Sequence, residues 1–303
     1  GRKSGDEMSP RKDSPKARAF RERYGPTALV TGAAQGIGRA FADSVAARGL
    51  NVLLVDVQEE AVREAAQQVA EEFDVATWAA PVDLARRDFL SGVSAIVTRA
   101  EIEVGLVICN AAIGLEGPFL SEDLDDLHRA VDVNCHAAMT LTHHFGLEMV
   151  SRKRGGIMLI ASGTALQGSP GYANYAATKA FNLVLGESLW YELKEHDVDV
   201  LSFVPGPTNT PGMRKSMPKL EEGVEVGPIR LPAATAETAI DALGKRATAA
   251  RERVHANRLA SRRRAADEGV AAAEARNTPE SDSATVESNA SDTPVSDPNV
   301  SSD

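Results

Sequence analysis

Tyr175 and Lys179 are the residues whose types and spacing indicate chemistry most directly. They stand four residues apart in the sequence YAATK, so on a helix they would share one face. A tyrosine hydroxyl ionises with a pKa of ~10, and a nearby ammonium favours its ionised form. At about 4 Å and an effective dielectric of about 20, one such charge contributes ~4 kcal/mol, enough to bring that pKa close to neutral. The pair therefore predicts a tyrosine that exchanges a proton at ordinary pH.

Ser162 precedes Tyr175 by 13 residues and directly follows an apolar run at 156–161. A hydroxyl placed beside an acid/base can hold the oxygen of a reacting carbonyl or alcohol. Taken singly, each residue has a plainer interpretation. A Tyr and a Lys at this spacing are common on amphipathic helices, and a serine after a strand is an ordinary turn residue. The chemistry therefore depends on the elements that position these side chains.

Apolar strand-like runs and helical patterns alternate along the chain. The runs occupy 27–31, 51–55, 75–80, 106–109, 156–161 and 198–204, and the helical patterns occupy 36–48, 59–73, 86–103, 123–151 and 172–194. Such alternation predicts an α/β fold with a doubly wound parallel sheet, a Rossmann-type three-layer α/β/α single domain. Ligands of this fold bind beyond the carboxyl ends of the strands, so the residues just after each strand are candidates for a binding site.

A glycine-rich turn, TGAAQGIG, follows the first predicted strand. Glycines let the backbone approach a pyrophosphate, and the next helix begins with unpaired N–H groups that favour an anion. The alternative is a glycine turn without a ligand. The turn predicts a dinucleotide site in which the contacting residues are Gly32, Gln35, Gly36, Ile37 and Gly38.

Asp56 follows the second strand, 20 residues beyond Gly36, where a carboxylate can accept hydrogen bonds from the adenosine ribose. Its charge would repel a 2′-phosphate, and no Lys or Arg stands beside it, so we expect NAD as cofactor, with NADP disfavoured. Asp83, followed by Leu84 after the third strand, could bind the adenine amino group. Each aspartate could instead be a solvated strand end or a helix cap.

The motifs together resemble the short-chain dehydrogenase/reductase family over about residues 25–215. The resemblance is carried, in order and spacing, by TGAAQGIG, CNAA at 109–112, Asn134, Ser162, YAATK and PGPTNT at 205–210. It implies that Tyr175 is the acid/base, that Ser162 holds the substrate oxygen, and that Lys179 binds the nicotinamide ribose and lowers the pKa of Tyr175. It also implies that Asn134 positions a water in the proton relay. Further cofactor contacts are implied for Asn110, Ala111, Pro205, Gly206, Thr208 and Thr210.

Two features depart from the family pattern. Ala112 stands where members often have a glycine that eases backbone contact with the cofactor. The usual last strand is not recognisable after residue 230. A seventh strand could lie at 252–256, or the chain from 233 to 276 could be mostly helical.

Composition limits the other possibilities. A formal net charge of -10 argues against nucleic-acid binding. No apolar stretch is long enough to span a membrane. Cys109 and Cys135 lack the spacing of a disulfide framework or zinc site, and His143 and His144 lack ligand partners, so we expect no metal and a reducing, cytoplasmic setting.

The chain ends differ in composition from its middle. We expect a disordered basic segment at 1–24, a catalytic domain at 25–275 and a disordered acidic tail at 276–303. Within the domain, a lid near 211–226 carries Met213, Met217 and Leu220, which favours an apolar substrate.

We therefore expect an oxidoreductase, homo-oligomeric as a dimer or tetramer, that moves a hydride between NAD and a hydrophobic secondary alcohol or ketone. Two alternatives stay open. The chain could be a non-catalytic nucleotide sensor or scaffold on the same fold, or an NAD-dependent lyase or epimerase.

Overall fold

The computed structural model describes residues 12–250, which contain one parallel sheet with helices on both faces. The strands are β1 Thr27–Thr31, β2 Asn51–Asp56, β3 Thr77–Pro81, β4 Val104–Cys109, β5 Gly155–Ile160, β6 Val198–Val204 and β7 Thr248–Ala250. The helices are α1 Pro15–Tyr24, α2 Gly36–Ala47, α3 Glu59–Phe73, α4 Phe89–Arg99, α5 Leu124–Val131, α6 Ala137–Ser151, α7 Ala173–Lys194, α8 Pro211–Ser216 and α9 Pro232–Ala242.

The seven strands are hydrogen-bonded in the order β3-β2-β1-β4-β5-β6-β7, and all neighbouring pairs are parallel. The chain winds outward from β1 in one direction and then from β4 in the other, so the order reverses between β1 and β4. The predicted doubly wound α/β fold is confirmed. A doubly wound sheet opens a crevice at this reversal, beyond the carboxyl ends of its strands.

The strands are predominantly apolar because helices cover both faces of the sheet. Alternate strand residues enter two separate cores: Val30 and Leu54 pack towards α2, α3 and α9, whereas Leu29 and Leu53 pack towards α4, α6 and α7. Both cores are closed to solvent at these positions. The sheet is thereby fixed from both sides, and the turns at its carboxyl edge are held in a constant arrangement.

The first helix contradicts the predicted disorder of the segment 1–24 over its residues 15–24, whereas residues 1–11 lie outside the described residues. Residues Pro15–Tyr24 form α1, which begins at a Ser14 side-chain cap. Its anchors come from distant parts of the chain: the Tyr24 hydroxyl donates to Asp199 at 2.7 Å, and the Arg48 guanidinium lies 5.5 Å from the ring centroid of Phe20. The helix packs because of partners that its own basic, polar sequence does not reveal.

We expect Tyr24→Phe to lower the free energy of unfolding by about 1–2 kcal/mol. The variant keeps the buried ring but removes the hydroxyl that donates to the Asp199 carboxylate, and hydrogen bonds to charged groups contribute about 1.5–3 kcal/mol. Arg23 also donates to Asp199 at 2.9 Å and limits the loss. Urea denaturation of the wild-type protein and the variant measures this change in the free energy of unfolding. An unchanged midpoint would show that α1 contributes nothing through this contact.

Other boundaries differ in detail. The third strand begins at Thr77 and not at 75, and the long helix expected at 123–151 is divided by a π-helical turn at Asp132–His136. A seventh strand is present, but at Thr248–Ala250, and the helical part of the chain after 233 ends at Ala242, the last residue of α9. The alternatives at 252–256 and onward, and the predicted tail at 276–303, lie outside the described residues.

Candidate active site

A cavity of about 1060 Å³ lies at the carboxyl edge of the sheet, where the strand order reverses. It brings together nearly all of the residues that the sequence singled out. Lining it are Gly32, Gln35, Gly36, Ile37, Asp56, Asp83, Leu84, Asn110, Ala111, Ser162, Tyr175, Lys179, Pro205, Gly206, Thr208 and Thr210. Gly38 and Asn134 are not among the lining residues.

Tyr175 projects from the first turn of α7, and Ser162 follows β5 on the facing wall. Burial raises the pKa of the Tyr175 hydroxyl, and its hydrogen bond with Ser162 acts in the opposite direction. The Ser162 Oγ also accepts from the backbone N–H of Thr164 at 3.3 Å, which fixes the side chain at the start of a short 3-10 turn. Serine and tyrosine hydroxyls thus meet at one point of the cavity.

Lys179 lies one turn after Tyr175 on the same helix, and its Nζ is 5.8 Å from the tyrosine ring centroid. Its side chain is buried, with Lys179 2% exposed. Within residues 12–250, the only hydrogen bond of its ammonium runs from Nζ to the carbonyl of Ile160, at 2.8 Å. Burial lowers the pKa of this ammonium to about 8. Since an ammonium has three donors, Lys179 can bind further oxygens in the cavity. Its lowering of the Tyr175 pKa stays a prediction.

Asn134 lies behind the cavity, fully buried in the π-helical turn. Its Oδ1 accepts from the N–H of Ile113 at 2.8 Å, and its Nδ2 donates to the Ile113 carbonyl and to the Thr178 hydroxyl. These contacts engage both polar ends of the side chain. Asn134 therefore holds the loop after β4 against α7, and its predicted role in a proton relay stays a prediction.

The glycine turn has the shape that close approach of a ligand requires. Gly32 and Gly36 adopt φ angles of 65° and 60°, the left-handed region that side chains rarely enter. Gly38 contributes in a different way, because a Cβ built there would lie 1.9 Å from the Gly32 carbonyl oxygen, so this glycine lets α2 pack against the turn. Its cofactor contact stays a prediction.

Asp56 ends β2 at the far side of the glycine turn and is 7% exposed. One carboxylate oxygen accepts from the N–H of Ala34 at 3.1 Å, and the other accepts from the N–H of Gln58 at 3.0 Å. No ion pair within residues 12–250 includes it. An uncompensated carboxylate therefore marks this end of the cavity.

Asp83 is engaged by a residue that the sequence did not single out. Both of its oxygens lie 3.1 Å from the Arg129 guanidinium, and one also accepts from the N–H of Ala85. Arg129 lines the cavity, yet its sequence context is typical of the solvated face of a helix such as α5. Glu116 and Tyr172, which also line the cavity, carried no sequence signal either, because each stands in an irregular segment.

The predicted lid region contains α8, and the structure divides its apolar residues. Met213 and Met217 line the cavity, whereas Leu220 is buried away from it. A flexible thioether can adapt to an irregular apolar ligand.

The residues present fit a nicotinamide dinucleotide. A glycine-rich turn stands at the start of α2, and the cavity also contains a carboxylate, Asp56, and a lysine with spare donors, Lys179. These are the chemical partners of a pyrophosphate, of an adenosine ribose and of a second ribose, respectively. Among residues 12–250, no cluster of His, Cys, Asp or Glu could hold a metal ion, and no helix is long and apolar enough to cross a bilayer.

Comparison with known proteins indicates the same family that the sequence motifs resemble. The family described as short chain dehydrogenase matches residues 26–221. A 7beta-hydroxysteroid dehydrogenase of Clostridium sardiniense is 31% identical over 229 residues, which are 76% of this chain and 86% of that protein. An inactive hydroxysteroid dehydrogenase-like protein 1 of Homo sapiens is 32% identical over 190 residues, 61% of this chain and 56% of the relative.

Solved structures share the architecture. One that addresses the stereoselectivity of 7beta-hydroxysteroid dehydrogenase superposes with a TM-score of 0.71 at 26% identity, covering 79% of this chain and 92% of that one. Two others, below 25% identity, show the fold alone. A Sphingobium yanoikuyae short-chain dehydrogenase with NADPH has a TM-score of 0.65 at 24% identity and covers 86% and 99% of the two chains. A 4-hydroxyisoleucine dehydrogenase with NADH has 0.59 at 21% and covers 70% and 88%.

Proposed function

Because the chain belongs to the short-chain dehydrogenase/reductase family of oxidoreductases, we propose that it transfers a hydride between NAD and a secondary alcohol or ketone. The observation that carries this proposal is the meeting of Ser162, Tyr175 and Lys179 in the cavity that the glycine turn also lines. An acid/base, an oxygen-holding donor and a cation are the groups that carbonyl reduction requires of the protein.

In this proposal Tyr175 gives its hydroxyl proton to the substrate oxygen during reduction and takes it back during oxidation. Ser162 holds that oxygen and keeps the tyrosine hydroxyl aimed at it. The Lys179 ammonium stabilises the tyrosinate and binds ribose oxygens with its remaining donors. A nicotinamide ring, when bound, supplies or accepts the hydride.

Asp56 supports NAD over NADP. Its buried carboxylate would face a 2′-phosphate that carries nearly two negative charges. The lining cations are Lys179, one turn from Tyr175, and Arg129, which is already paired with Asp83. Neither stands beside Asp56 in an ion pair, so the charge of a 2′-phosphate would be poorly compensated.

The substrate that we propose is hydrophobic, of the steroid, terpenoid or acyl-chain type. Ile113, Met213 and Met217 supply apolar surface to the cavity. The 7beta-hydroxysteroid dehydrogenase relative adds weight to the steroid class.

A non-catalytic role has one observation in its favour, the resemblance to the inactive hydroxysteroid dehydrogenase-like protein. Against it, this chain retains the serine, tyrosine and lysine, and the structure groups them in one cavity. A lyase or epimerase would use the same residues but return the hydride to the same molecule.

NADH formation tests the proposal. The full chain is supplied with NAD and a panel of hydroxysteroid, terpenoid and long-chain secondary alcohols, and NADH absorbance is followed. We expect accumulation with at least one class. NAD binding without NADH formation from any alcohol would favour the non-catalytic role.

We also propose a homo-oligomer. Helices α6 and α7 expose large apolar side chains that a monomer would leave in water, namely Met139, Leu147, Phe181, Val184 and Tyr191. Light scattering on a sizing column should give a dimer or tetramer, and Leu147→Glu with Val184→Glu should give a monomer. A monomeric wild-type protein at micromolar concentration would contradict the prediction.

A cytoplasmic setting is part of the same proposal. Cys109 and Cys135 are both free thiols. Burial raises their pKa values, to about 12 and about 11, which keeps them protonated. Unpaired thiols suit a reducing compartment.

A further inference from the structure

Glu116 is a cavity residue that the proposed chemistry does not use. It stands in the loop after β4, and its Oε2 accepts from the Ser216 hydroxyl of α8 at 3.3 Å. It also forms a hydrogen bond with the Tyr172 hydroxyl, whose pKa it raises. Two hydroxyl donors therefore orient this carboxylate at the cavity, one at the end of α8 and one directly before α7.

The loop that carries Glu116 passes close to Tyr175, at the substrate end of the cavity. Tyr172 precedes Tyr175 by three residues at the start of α7, a spacing of about one helical turn. A Cβ built at Gly114, two residues before Glu116, would lie 3.8 Å from the Tyr175 ring. The backbone adds a further link, because the N–H of Gly117 donates to the Gly171 carbonyl at 2.9 Å.

The charge of Glu116 is uncompensated. None of the ion pairs found within residues 12–250 includes it. Arg129 is paired with Asp83, and Lys179 is buried beside Tyr175. Lys215 precedes Ser216 but does not line the cavity. Glu116 is exposed, and it therefore adds an unpaired negative charge and hydrogen-bond acceptors to the solvent side of this end of the cavity, whereas the Lys179 ammonium is buried.

We propose that Glu116 determines specificity by charge, so that the site disfavours anionic ligands and accepts neutral or cationic ones. A substrate carboxylate near Glu116 would meet a like charge, whereas a hydroxyl or an ammonium would find an acceptor. The inference rests on the proposed function in one respect, namely that the substrate occupies the part of the cavity beside Tyr175.

Three ligands with the same steroid skeleton and a different charge on one side-chain group test the proposal: a hydroxysteroid carboxylic acid, its methyl ester and its aminoethyl amide. Their affinities for the full chain with NADH are measured by calorimetry at low ionic strength. The ester should bind at least about fivefold more tightly than the acid, and the amine at least as tightly as the ester. Fivefold is about 1 kcal/mol, the interaction of two unit charges ~8 Å apart at an effective dielectric of ~40.

Glu116→Gln separates charge from shape, because glutamine keeps an oxygen that can accept from Ser216 and Tyr172. In this variant the acid should bind within about twofold of the ester, and the affinity of the ester should not change. Glu71→Gln is the matched control: Glu71 is an exposed carboxylate on α3 that also accepts from a neutral side chain, that of Gln67, and this variant should keep the wild-type ratio. Added salt should reduce the wild-type ratio through screening.

The proposal is overturned if the wild-type protein binds acid and ester equally, if Glu116→Gln keeps the discrimination, or if no probe binds. Its failure is distinguishable from failure of the proposed function. Charge selection without NADH formation from any alcohol would leave the role of Glu116 standing and remove hydride transfer. Turnover of an alcohol without charge selection would leave hydride transfer standing and remove the proposed role of Glu116.

Discussion

Tyr175→Phe is expected to lower kcat by about 10²- to 10⁴-fold while NAD still binds. The variant removes only the hydroxyl that exchanges a proton with the substrate, and general acid/base catalysis contributes a factor of this size. The ring remains packed against Gly114 and Lys179, so the cavity should keep its shape. Initial rates give the loss in kcat, and fluorescence titration with NADH gives cofactor affinity.

Tyr191→Phe is the control, because Tyr191 stands on the same helix but does not line the cavity, and the change keeps the ring that the proposed oligomer would cover. It should retain the wild-type rate. If Tyr175→Phe kept more than about a tenth of the wild-type rate, proton transfer by this residue could not be the mechanism. A loss of NADH affinity equal to the loss of rate would instead indicate that the tyrosine serves binding.

Wild-type protein is expected to prefer NAD over NADP by at least about a hundredfold in kcat/KM. A 2′-phosphate with nearly two charges, ~6 Å from the Asp56 carboxylate at an effective dielectric of ~40, is repelled by ~3 kcal/mol. That energy corresponds to a factor of about a hundred. Initial rates at varied concentrations of each cofactor measure the ratio.

Asp56→Ala combined with Val57→Arg should shift the preference towards NADP. The first change removes the repulsive carboxylate, and the second places a cation at a side chain that is 57% exposed. Val57→Arg alone is the control and should shift the preference less, because Asp56 remains. Equal efficiency of the wild-type protein with both cofactors would mean that Asp56 does not face the ribose.

The sheet and the order of the site motifs could be predicted from the sequence because both depend on local patterns. Buried parallel strands are predominantly apolar, and the run at 106–109, which lies within β4, is recognisable from composition alone. Helix α1 could not be predicted in this way. Its residues are basic and polar, and its stability depends on Asp199 and Arg48, which lie far away in the chain.

The same distinction applies within the site. Tyr175 and Lys179 share one helix, so their spacing predicted their proximity. Glu116 and Ser216 are 100 residues apart in the sequence and meet only because the loop after β4 and helix α8 lie at the same sheet edge. Asn134 could be identified from the family resemblance. Its buried contacts with Ile113 and Thr178 could not be predicted, because they depend on a π-helical turn for which the sequence has no local pattern.

Deuterium transfer from a secondary alcohol to NAD would demonstrate the proposed hydride transfer itself. The alcohol carries deuterium on its carbinol carbon, and the reduced cofactor and the organic product are analysed by mass spectrometry. With the wild-type protein we expect one deuterium in the reduced cofactor for each ketone formed. With Tyr175→Phe we expect almost no labelled cofactor and almost no ketone. Deuterium that stayed in the organic product, with no labelled cofactor, would contradict hydride transfer to NAD and indicate a lyase or epimerase.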